Sequence, residues 1–276
     1  MEVKGKAVIV TGAGSGVGRA AALVFSRAGA KVVCCGRRQE KLEETVAQVK
    51  AQQGEAMAVP VDLTDLNKVE RMAARARETF GEIGVLFNSA ATFHALGSVW
   101  EVDPEKWWRD MGNNLRGPMH CCRAVLPQMI QKAEGAIINI TAQAGTDAKP
   151  GCSGYACSKA GVIHLTNTLA AELKMKEIPV LVFGLDPGFN RTEMTEELAA
   201  HPESAFWLPR VKPNLDTDKG AHPERVAETA IELIKYGQPV LAGRTFRVGV
   251  KVKDIDKKAA EIEEKDLLTL RFRHLH

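Results

Sequence analysis

Residues 6–18, KAVIVTGAGSGVG, join a short apolar run to a glycine-rich turn. The apolar run is rich in β-branched residues, which is typical of a buried strand. After the turn, apolar residues recur at helical spacing until Gly29. This order predicts a phosphate-binding turn, because glycines let the backbone approach a pyrophosphate and the helix N-terminus offers free N–H groups. The alternative is a glycine-rich turn without a ligand. The predicted contacts are Gly12, Ser15, Gly16, Val17 and Gly18.

The same strand–turn–helix unit recurs along the chain. The alternation predicts an α/β fold with a three-layer, doubly wound parallel sheet of the Rossmann type in a single domain. Right-handed crossovers bring the carboxyl ends of the strands to one edge, where ligands bind. We expect this domain to span residues 1–250, with a substrate lid over about 189–220 where no periodicity is evident. Residues 251–276 are expected to form a charged extension.

The second predicted strand ends in Gly36-Arg37-Arg38. In dinucleotide sites an acidic residue at this point holds the ribose hydroxyls of NAD, whereas arginine pairs with the 2′-phosphate of NADP. Gly36 stands where the acid would be, so the sequence favours NADP(H) over NAD(H), with Arg37 and Arg38 as phosphate ligands. The alternative is that both arginines only begin the next helix.

Composition argues against several classes of protein. The net charge of +3 is spread along the chain, which does not indicate nucleic acid or an anionic membrane as a partner. No stretch approaches ~18 apolar residues and no signal-peptide pattern begins the chain, so a soluble, cytoplasmic protein is expected. The six cysteines and seven histidines lack the spacing of zinc ligands, so thiols of a reducing compartment and no metal site are predicted.

Tyr155 and Lys159 are four residues apart in a helical pattern, a spacing that puts both side chains on one face. A free tyrosine loses its proton only near about pH 10, and a neighbouring ammonium lowers that pKa. The pair is therefore a candidate general acid/base for a proton on an alcohol or carbonyl oxygen. The alternative is an amphipathic helix with an ordinary tyrosine and lysine.

The combination and order of these motifs resemble the short-chain dehydrogenase/reductase family over about residues 4–250. Residues 11–18, TGAGSGVG, are similar to the family's cofactor motif. Residues 88–91, NSAA, are similar to its N-N-A-G with two replacements. Tyr155 and Lys159 match its acid/base pair, and Asn114 matches the asparagine of its proton relay. The further cofactor contacts that the resemblance implies are Asp62, Leu63, Asn88, Ala90, Tyr155, Lys159, Pro187, Gly188 and Thr192.

The resemblance also implies a reaction. A hydride passes between the nicotinamide and a carbonyl or alcohol carbon, and Tyr155 gives or takes the proton on the oxygen. Lys159 would hold the nicotinamide ribose and lower the pKa of Tyr155, while Asn114 would help to pass protons to solvent. A small-molecule carbonyl or alcohol substrate and a homodimer or homotetramer follow from the same resemblance. Apolar residues of the lid favour a medium-sized apolar substrate, unless they only pack the lid on the core.

Ala142 departs from the family pattern. The family has a serine thirteen residues before the tyrosine, where its hydroxyl binds the substrate oxygen. Losing one such donor costs about 10²–10³ in rate in comparable sites. Three explanations are open: Thr141, Gln143 or Ser153 supplies the bond; the alanine is an engineered replacement of a natural serine; or the protein binds NADP without efficient catalysis. Residues expected near the substrate are Ala142, Gln143 and Phe189.

Overall fold

The central sheet of the chain is described by a computed structural model that covers residues 1–217 and 222–271. Within these residues, seven strands form one parallel sheet in the order β3-β2-β1-β4-β5-β6-β7. The prediction of a doubly wound, single-domain sheet is confirmed. The strands are β1 (Ala7–Thr11), β2 (Lys31–Gly36), β3 (Glu55–Pro60), β4 (Ile83–Asn88), β5 (Gly135–Ile140), β6 (Val180–Asp186) and β7 (Thr245–Arg247).

Helices cover both faces of the sheet. The helices are α1 (Gly16–Arg27), α2 (Gln39–Ala51), α3 (Leu66–Phe80), α4 (Pro104–Met111), α5 (Gly117–Lys132), α6 (Ser153–Met175), α7 (Glu193–Ala200), α8 (Ser204–Trp207), α9 (Val211–Asp216), α10 (Pro223–Tyr236), α11 (Val252–Asp256) and α12 (Ala259–Glu264). Helices α1, α2 and α10 contribute to the apolar cluster on one face, and α3, α5 and α6 to the cluster on the other. The sheet is therefore the middle of three layers.

The sequence of strand β1 is continuously apolar and does not alternate between apolar and polar residues, and the packing of the strand explains why. Val8 and Val10 pack into the cluster on one face, while Ile9 packs into the cluster on the other. All three side chains are fully buried. Parallel strands covered by helices on both faces need apolar residues at every position. The run of β-branched residues is thus the direct consequence of the three-layer arrangement.

The topological switch point lies beside β1. Chain connections run from β1 to β2 on one side, and β4 returns to pair with β1 on the other. Thr11 and Asn88 are register partners at the carboxyl ends of β1 and β4. The turns that follow these two strands therefore diverge and leave a crevice between them, which is where ligands bind in sheets of this type.

The lid segment is more regular than its sequence suggests. No periodicity is evident over 189–220, yet the structure contains the short helices α7, α8 and α9 there. Helix α7 begins with a reciprocal pair of hydrogen bonds between Thr192 and Thr195, which form a capping box. Helices this short give little periodic signal. Residues 218–220 of the predicted lid, and 272–276 of the predicted extension, lie outside the described residues.

A π-helical turn, Gly112–Arg116, joins α4 to α5. The sequence predicts one long helix with a kink near Gly117 and Pro118. The structure puts the irregularity one turn earlier, where the Gly117 N–H donates to the carbonyl of Gly112. Pro118 then lies in the first turn of α5, where its missing N–H does little harm. The wider turn carries Asn114 into the interior, where it is fully buried.

The C-terminal extension packs beside the last strand. The sequence of residues 244–250 predicts a last strand, of which only Thr245–Arg247 form β7. The Thr245 N–H on the outer side of this strand donates to the Leu268 carbonyl at 2.8 Å. The Arg244 guanidinium pairs with the Asp266 carboxylate at 2.5 Å, and the Thr269 hydroxyl donates to Asn167 on α6 at 2.7 Å. These contacts hold the extension against the edge of the sheet.

Candidate active site

A cleft of about 620 Å³ opens at the carboxyl edge of the sheet, around the switch point. Most of the residues predicted from the sequence line its wall. They are Gly12, Ser15, Gly16, Val17, Gly18, Arg37, Arg38, Asp62, Leu63, Ala90, Tyr155, Lys159, Pro187 and Thr192. Six other predicted residues are not part of this wall, namely Asn88, Asn114, Gly188, Ala142, Gln143 and Phe189. The structure thus unites the glycine-rich turn, both arginines and the Tyr155–Lys159 pair in one cavity.

The glycine-rich turn is so tightly folded that it leaves no room for a Cβ at Gly12 or Gly18. Gly12 and Gly16 have φ of +68° and +50°, the left-handed region that favours glycine. A Cβ on Gly12 would lie 2.9 Å from the Ala90 Cα, and one on Gly18 would lie 2.2 Å from the Gly12 carbonyl oxygen. The Ser15 side chain makes no capping bond to α1. The backbone of the turn can therefore be approached closely by a ligand, and the N-terminus of α1 is left open. Both features fit the phosphates of a dinucleotide.

Replacing Gly18 with alanine is expected to lower the free energy of unfolding by about 2 to 3 kcal/mol. The added methyl group would collide with the Gly12 carbonyl at 2.2 Å, so the turn must shift to admit it. Urea denaturation measures the change. Gly112→Ala is the matched control, because its nearest contact would be the Thr64 methyl group at 3.6 Å. Equal stability of the two variants would contradict the tight turn described here.

Thr11 fixes the second turn of the crevice. Its hydroxyl accepts hydrogen bonds from the backbone N–H groups of Ser89, at 3.0 Å, and Ala90, at 3.1 Å. Behind this turn, the Asn88 amide donates to the Asn139 side chain at 2.9 Å. Asn88 therefore supports the crevice from behind the cleft wall. Its predicted contact with a cofactor remains a prediction.

Asp62 lies at the end of the cleft next to the arginines. Its carboxylate accepts hydrogen bonds from the Thr64 backbone N–H at 2.9 Å and from the Thr64 hydroxyl at 2.7 Å. These two bonds, assisted by the charges of Arg37 and Lys68, lower the pKa of Asp62. An ionised acceptor beside Arg37 is thus present at this end of the cleft.

Tyr155 is half-buried in the cleft, and its ring is held by an aromatic neighbour. The Phe93 ring stacks on it with centroids 4.8 Å apart and an interplanar angle of 8°. Burial raises the pKa of Tyr155, and the carboxylates of Asp186 and Asp110 raise it further. This direction is opposite to the lowering by Lys159 that the sequence predicts. The expectation overlooked desolvation, which disfavours the phenolate in this environment.

Lys159 is only 2% exposed and points its amine to the carboxyl end of β5. The Nζ atom donates to the Ile140 carbonyl at 2.7 Å and lies 5.7 Å from the centroid of the Tyr155 ring. Burial lowers the pKa of Lys159 to about 8, and the charge of Asp186 offsets part of this effect. The amine is thus mostly protonated at neutral pH and lies on the same side of the cleft as Tyr155.

Asn114 is inside the protein and forms hydrogen bonds with the loop after β4. Its amide oxygen accepts from the Thr92 N–H at 2.7 Å, and its amide nitrogen donates to the Thr92 carbonyl at 2.9 Å. The same nitrogen donates to the Ser158 hydroxyl at 3.1 Å, and that hydroxyl donates to the Tyr155 carbonyl at 2.7 Å. Asn114 therefore links the π turn, the cleft wall and the helix that carries Tyr155.

Asp110 and His94 form a pair that is not predicted from the sequence. Asp110 is 0% exposed, and its carboxylate accepts from the backbone N–H groups of His94, at 2.8 Å, and Ala95, at 3.0 Å. It also accepts from the Thr92 hydroxyl and lies 2.9 Å from Nδ1 of His94, a residue of the cleft wall. A carboxylate at this distance accepts a hydrogen bond from the Nδ1–H of the His94 ring. The only available signal was the spacing of Asp110 and Asn114, which suits one helix face.

Replacing Asp110 with alanine is expected to lower the free energy of unfolding by about 3 kcal/mol, because two buried N–H groups lose their acceptor. Asp110→Asn is the matched control and should cost less than about 1 kcal/mol, since the amide oxygen can still accept from His94 and Ala95. Its amide nitrogen would move the His94 ring proton to Nε2, which ¹⁵N spectra of the imidazole detect. An unchanged stability of Asp110→Ala would contradict the buried network.

The three side chains proposed to replace the missing serine differ in their contacts and in whether they reach the cleft. Ser153 accepts a hydrogen bond from the Trp107 indole at 3.0 Å, and the Gln143 amide donates to Asp147 at 2.8 Å. Neither residue lines the cleft, whereas Thr141 does. Thr141 is 1% exposed, and its hydroxyl has no hydrogen-bond partner among the described residues. Of the three side chains, only Thr141 combines a position on the cleft wall with a hydroxyl that has no partner among the described residues.

The family model described as short chain dehydrogenase matches residues 6–203. The chain belongs to the short-chain dehydrogenase family. The resemblance inferred from the sequence is thereby confirmed, and family membership supports an oxidoreductase that uses a nicotinamide cofactor.

Other short-chain dehydrogenases resemble the chain over most of its length. A short chain dehydrogenase of Monascus ruber is 28% identical over 98% of this chain and 88% of its own length. The 3-oxoacyl-[acyl-carrier-protein] reductase FabG of Thermotoga maritima is 31% identical over 90% of this chain and 98% of its own. A variant of the actinorhodin polyketide ketoreductase, solved with NADPH, superposes with a TM-score of 0.80 at 26% identity, over 88% of this chain and 95% of that one.

No helix in the part of the chain that the structure describes is long and apolar enough to cross a lipid bilayer. Among residues 1–217 and 222–271, no group of three or more histidine, cysteine or acidic side chains has the arrangement of a metal site.

Proposed function

We propose that this short-chain dehydrogenase is an NADP(H)-dependent oxidoreductase that transfers a hydride between the nicotinamide and a carbonyl or alcohol carbon of a small molecule. The observation that carries the proposal is the cleft itself, in which the glycine-rich turn, Arg37 and Arg38, and the Tyr155–Lys159 pair line one cavity. The site thus combines a place for phosphates with a proton donor, and both are needed for this chemistry.

The residues present fit a dinucleotide. The turn at Gly12–Gly18 leaves room for phosphates where a Cβ would collide with backbone. Gly36 has no side chain that could block the cleft next to the two arginines. The guanidinium groups of these arginines match a 2′-phosphate in shape and charge. Asp62 and Leu63 line the adenosine end, and Pro187 and Thr192 line the cleft beside the lid. We expect NADP(H) to bind more tightly than NAD(H).

Tyr155 acts as the general acid/base on the substrate oxygen. Its raised pKa keeps the phenol protonated at neutral pH, which is the form that donates a proton to a carbonyl oxygen. Stacking on Phe93 holds the ring plane and so restricts the direction of the hydroxyl. The Lys159 ammonium, anchored on the Ile140 carbonyl, has two further N–H groups for ribose hydroxyls. Asn114 holds the loop and helix on either side of the cleft. These features favour carbonyl reduction.

The substrate class is a small ketone or the corresponding alcohol. Names of relatives, a 3-oxoacyl carrier-protein reductase and a polyketide ketoreductase, favour an oxo group on an acyl or polyketide chain. Met194 of the lid lines the cleft, whereas Phe206 is largely exposed and Trp207 packs on Gly151. The lid thus contributes one apolar side chain to the cleft and uses another to pack on the loop beside it.

A second function, cofactor binding without turnover, is favoured by Ala142 alone. The alanine supplies no hydroxyl at the family's serine position, and it does not line the cleft. Against this function, an idle protein would have no need for a buried Lys159 amine next to Tyr155, since burying an amine costs stability. We therefore prefer the catalytic function.

The test combines binding with turnover. Calorimetric titration with NADPH and NADH measures the affinities, and loss of nicotinamide absorbance with a panel of 3-oxo thioesters and ketones measures reduction. Both are repeated on Ala142→Ser, which should reduce ketones faster than the parent chain by up to about 10²-fold. Tight NADPH binding with no turnover in either protein would refute the catalytic function and support the second one. Failure to bind either nucleotide would refute both.

We also propose a homodimer or homotetramer formed through helices α4 and α5. Large apolar side chains are exposed on these helices, among them Trp108, Met119 and Ile130. Soluble chains rarely leave several such side chains in water without a partner. Sedimentation velocity should show a species of at least twice the 30.0 kDa chain mass. A monomer at micromolar concentration would refute the proposed assembly.

A further inference from the structure

Arg38 is already engaged by a lid carboxylate. Its Nη1 and Nη2 atoms donate to the two carboxylate oxygens of Glu193, at 3.1 and 2.5 Å. The pair joins the loop after β2 to the first residue of α7, which is 155 residues further along the chain. The Arg38 hydrogen bonds hold the pKa of Glu193 below its usual range, so the carboxylate is ionised at neutral pH. The Nη1–Nη2 edge of the guanidinium is thus occupied by a negative group of the chain itself.

The same carboxylate lies over the glycine-rich turn. The Ser15 side chain contributes to lowering the pKa of Glu193, so the two side chains lie close together. Next to it, the Thr192 methyl group lies 2.9 Å from the position that a Cβ on Gly16 would occupy. Ser15, Gly16, Arg38, Thr192 and Glu193 all line the cleft. The start of α7 therefore packs on the turn that is expected to hold the pyrophosphate.

A phosphate and a carboxylate would compete for Arg38. Both bind a guanidinium through two parallel hydrogen bonds, and Glu193 occupies the Nη1–Nη2 edge of Arg38, so a phosphate that binds on this edge must displace Glu193. A phosphate monoester carries about −1.5 to −2 charges at pH 7, so it would also repel a nearby Glu193. Glu197 and Glu44 add negative charge around the same guanidinium. The neighbouring arginine does not share this arrangement, since Arg37 is near Asp62 instead.

We propose that Glu193 is a specificity-determining residue that competes with the 2′-phosphate of NADP(H) for Arg38, so that NADP(H) binding requires Glu193 to leave Arg38 whereas NAD(H) binding does not. Glu193 therefore reduces the preference for NADP(H) that Arg37 and Arg38 create. The same exchange loosens the N-terminus of α7 from the glycine-rich turn when the 2′-phosphate binds. This inference rests on the proposed function only in that the cleft must bind nicotinamide dinucleotides.

The experiment measures dissociation constants by calorimetry on the full chain and on Glu193→Gln. The probes are NADPH, NADH, and the fragments adenosine 2′,5′-bisphosphate and AMP, which differ by the 2′-phosphate alone. Glu193→Gln is expected to tighten NADPH and the bisphosphate by about tenfold, and to change NADH and AMP by less than about twofold. The fragments report on the phosphate site without any contribution from nicotinamide or from activity.

Glu196→Gln is the matched control. It removes the same charge from the same helix, but Glu196 pairs with Arg191 at 3.1 Å and not with Arg38. Both variants should stay folded, because partly exposed ion pairs contribute at most about 1 kcal/mol. Equal tightening by the two variants, equal tightening of NADPH and NADH, or no change in Glu193→Gln would overturn the inference. Absence of binding by every nucleotide to the parent chain would instead overturn the proposed function, and the inference with it.

Discussion

Replacing Tyr155 with phenylalanine is expected to lower kcat for ketone reduction by about 10³-fold. The variant loses only the hydroxyl that donates the proton, while the ring can still stack on Phe93 at 4.8 Å. The fold and the glycine-rich turn should therefore be unaffected. Steady-state loss of NADPH absorbance, with the most active ketone of the panel, measures the effect.

Tyr236 on α10 provides the control for this substitution, because it is the second of the two tyrosines in the chain and does not line the cleft. Tyr236→Phe should keep kcat within about twofold. Calorimetry should show that Tyr155→Phe binds NADPH with a dissociation constant within about threefold of the parent value. A Tyr155→Phe variant with more than a tenth of the parent activity would show that another group donates the proton.

Replacing Lys159 with methionine is expected to abolish most activity and yet stabilise the protein. The Lys159 pKa in the folded protein is about 8, below its ordinary value of 10.5. At pH 7 the folded state therefore carries an unfavourable buried ammonium, a cost of about 3 kcal/mol at 1.36 kcal/mol per pKa unit. The methionine removes this cost but also the hydrogen bond to the Ile140 carbonyl, worth about 1 kcal/mol. The net gain in the free energy of unfolding is about 2 kcal/mol, and turnover should fall by about 10²-fold or more.

The pH dependence identifies the cause of this gain. Because the folded pKa is the lower one, the parent protein releases the Lys159 proton on folding between about pH 8 and 10.5, and its stability rises with pH across this range. The advantage of Lys159→Met should therefore be constant below about pH 8 and shrink towards about pH 10.5. Guanidinium denaturation at pH 6, 7 and 10 measures it. A variant that is less stable than the parent at pH 7 would refute the description of Lys159 as a costly buried cation.

The sequence predicted the sheet because its signals are local. An apolar run such as that of β1, followed by Gly12–Gly18, can be identified without knowing the rest of the fold. The spacing of Tyr155 and Lys159 likewise fixes their shared helix face, and the structure brings both to the cleft. In each case a few adjacent residues determine the geometry, so no long-range contact has to be known.

The features that the sequence did not predict depend on residues that are distant in the chain. The raised pKa of Tyr155 results from burial and from charges such as Asp186, which only the folded protein brings near. The Arg38–Glu193 ion pair and the hydrogen bond between His94 and Asp110 join a loop to a helix without any motif. The position of the π turn was not predicted for a related reason. Gly112, Asn113 and Asn114 are poor helix formers and permit an irregularity, but their sequence does not fix its type or its exact place.

The C-terminal extension has a consequence for how copies of the chain can meet. A bare edge strand invites hydrogen-bonded growth of a sheet from one molecule to the next, and this is a common route to insoluble aggregates. Here the outward N–H of Thr245 is already bonded to Leu268, and the Arg244–Asp266 ion pair secures the segment. Removing the residues after about position 250 should therefore expose the outer edge of β7 and cause the protein to aggregate during storage.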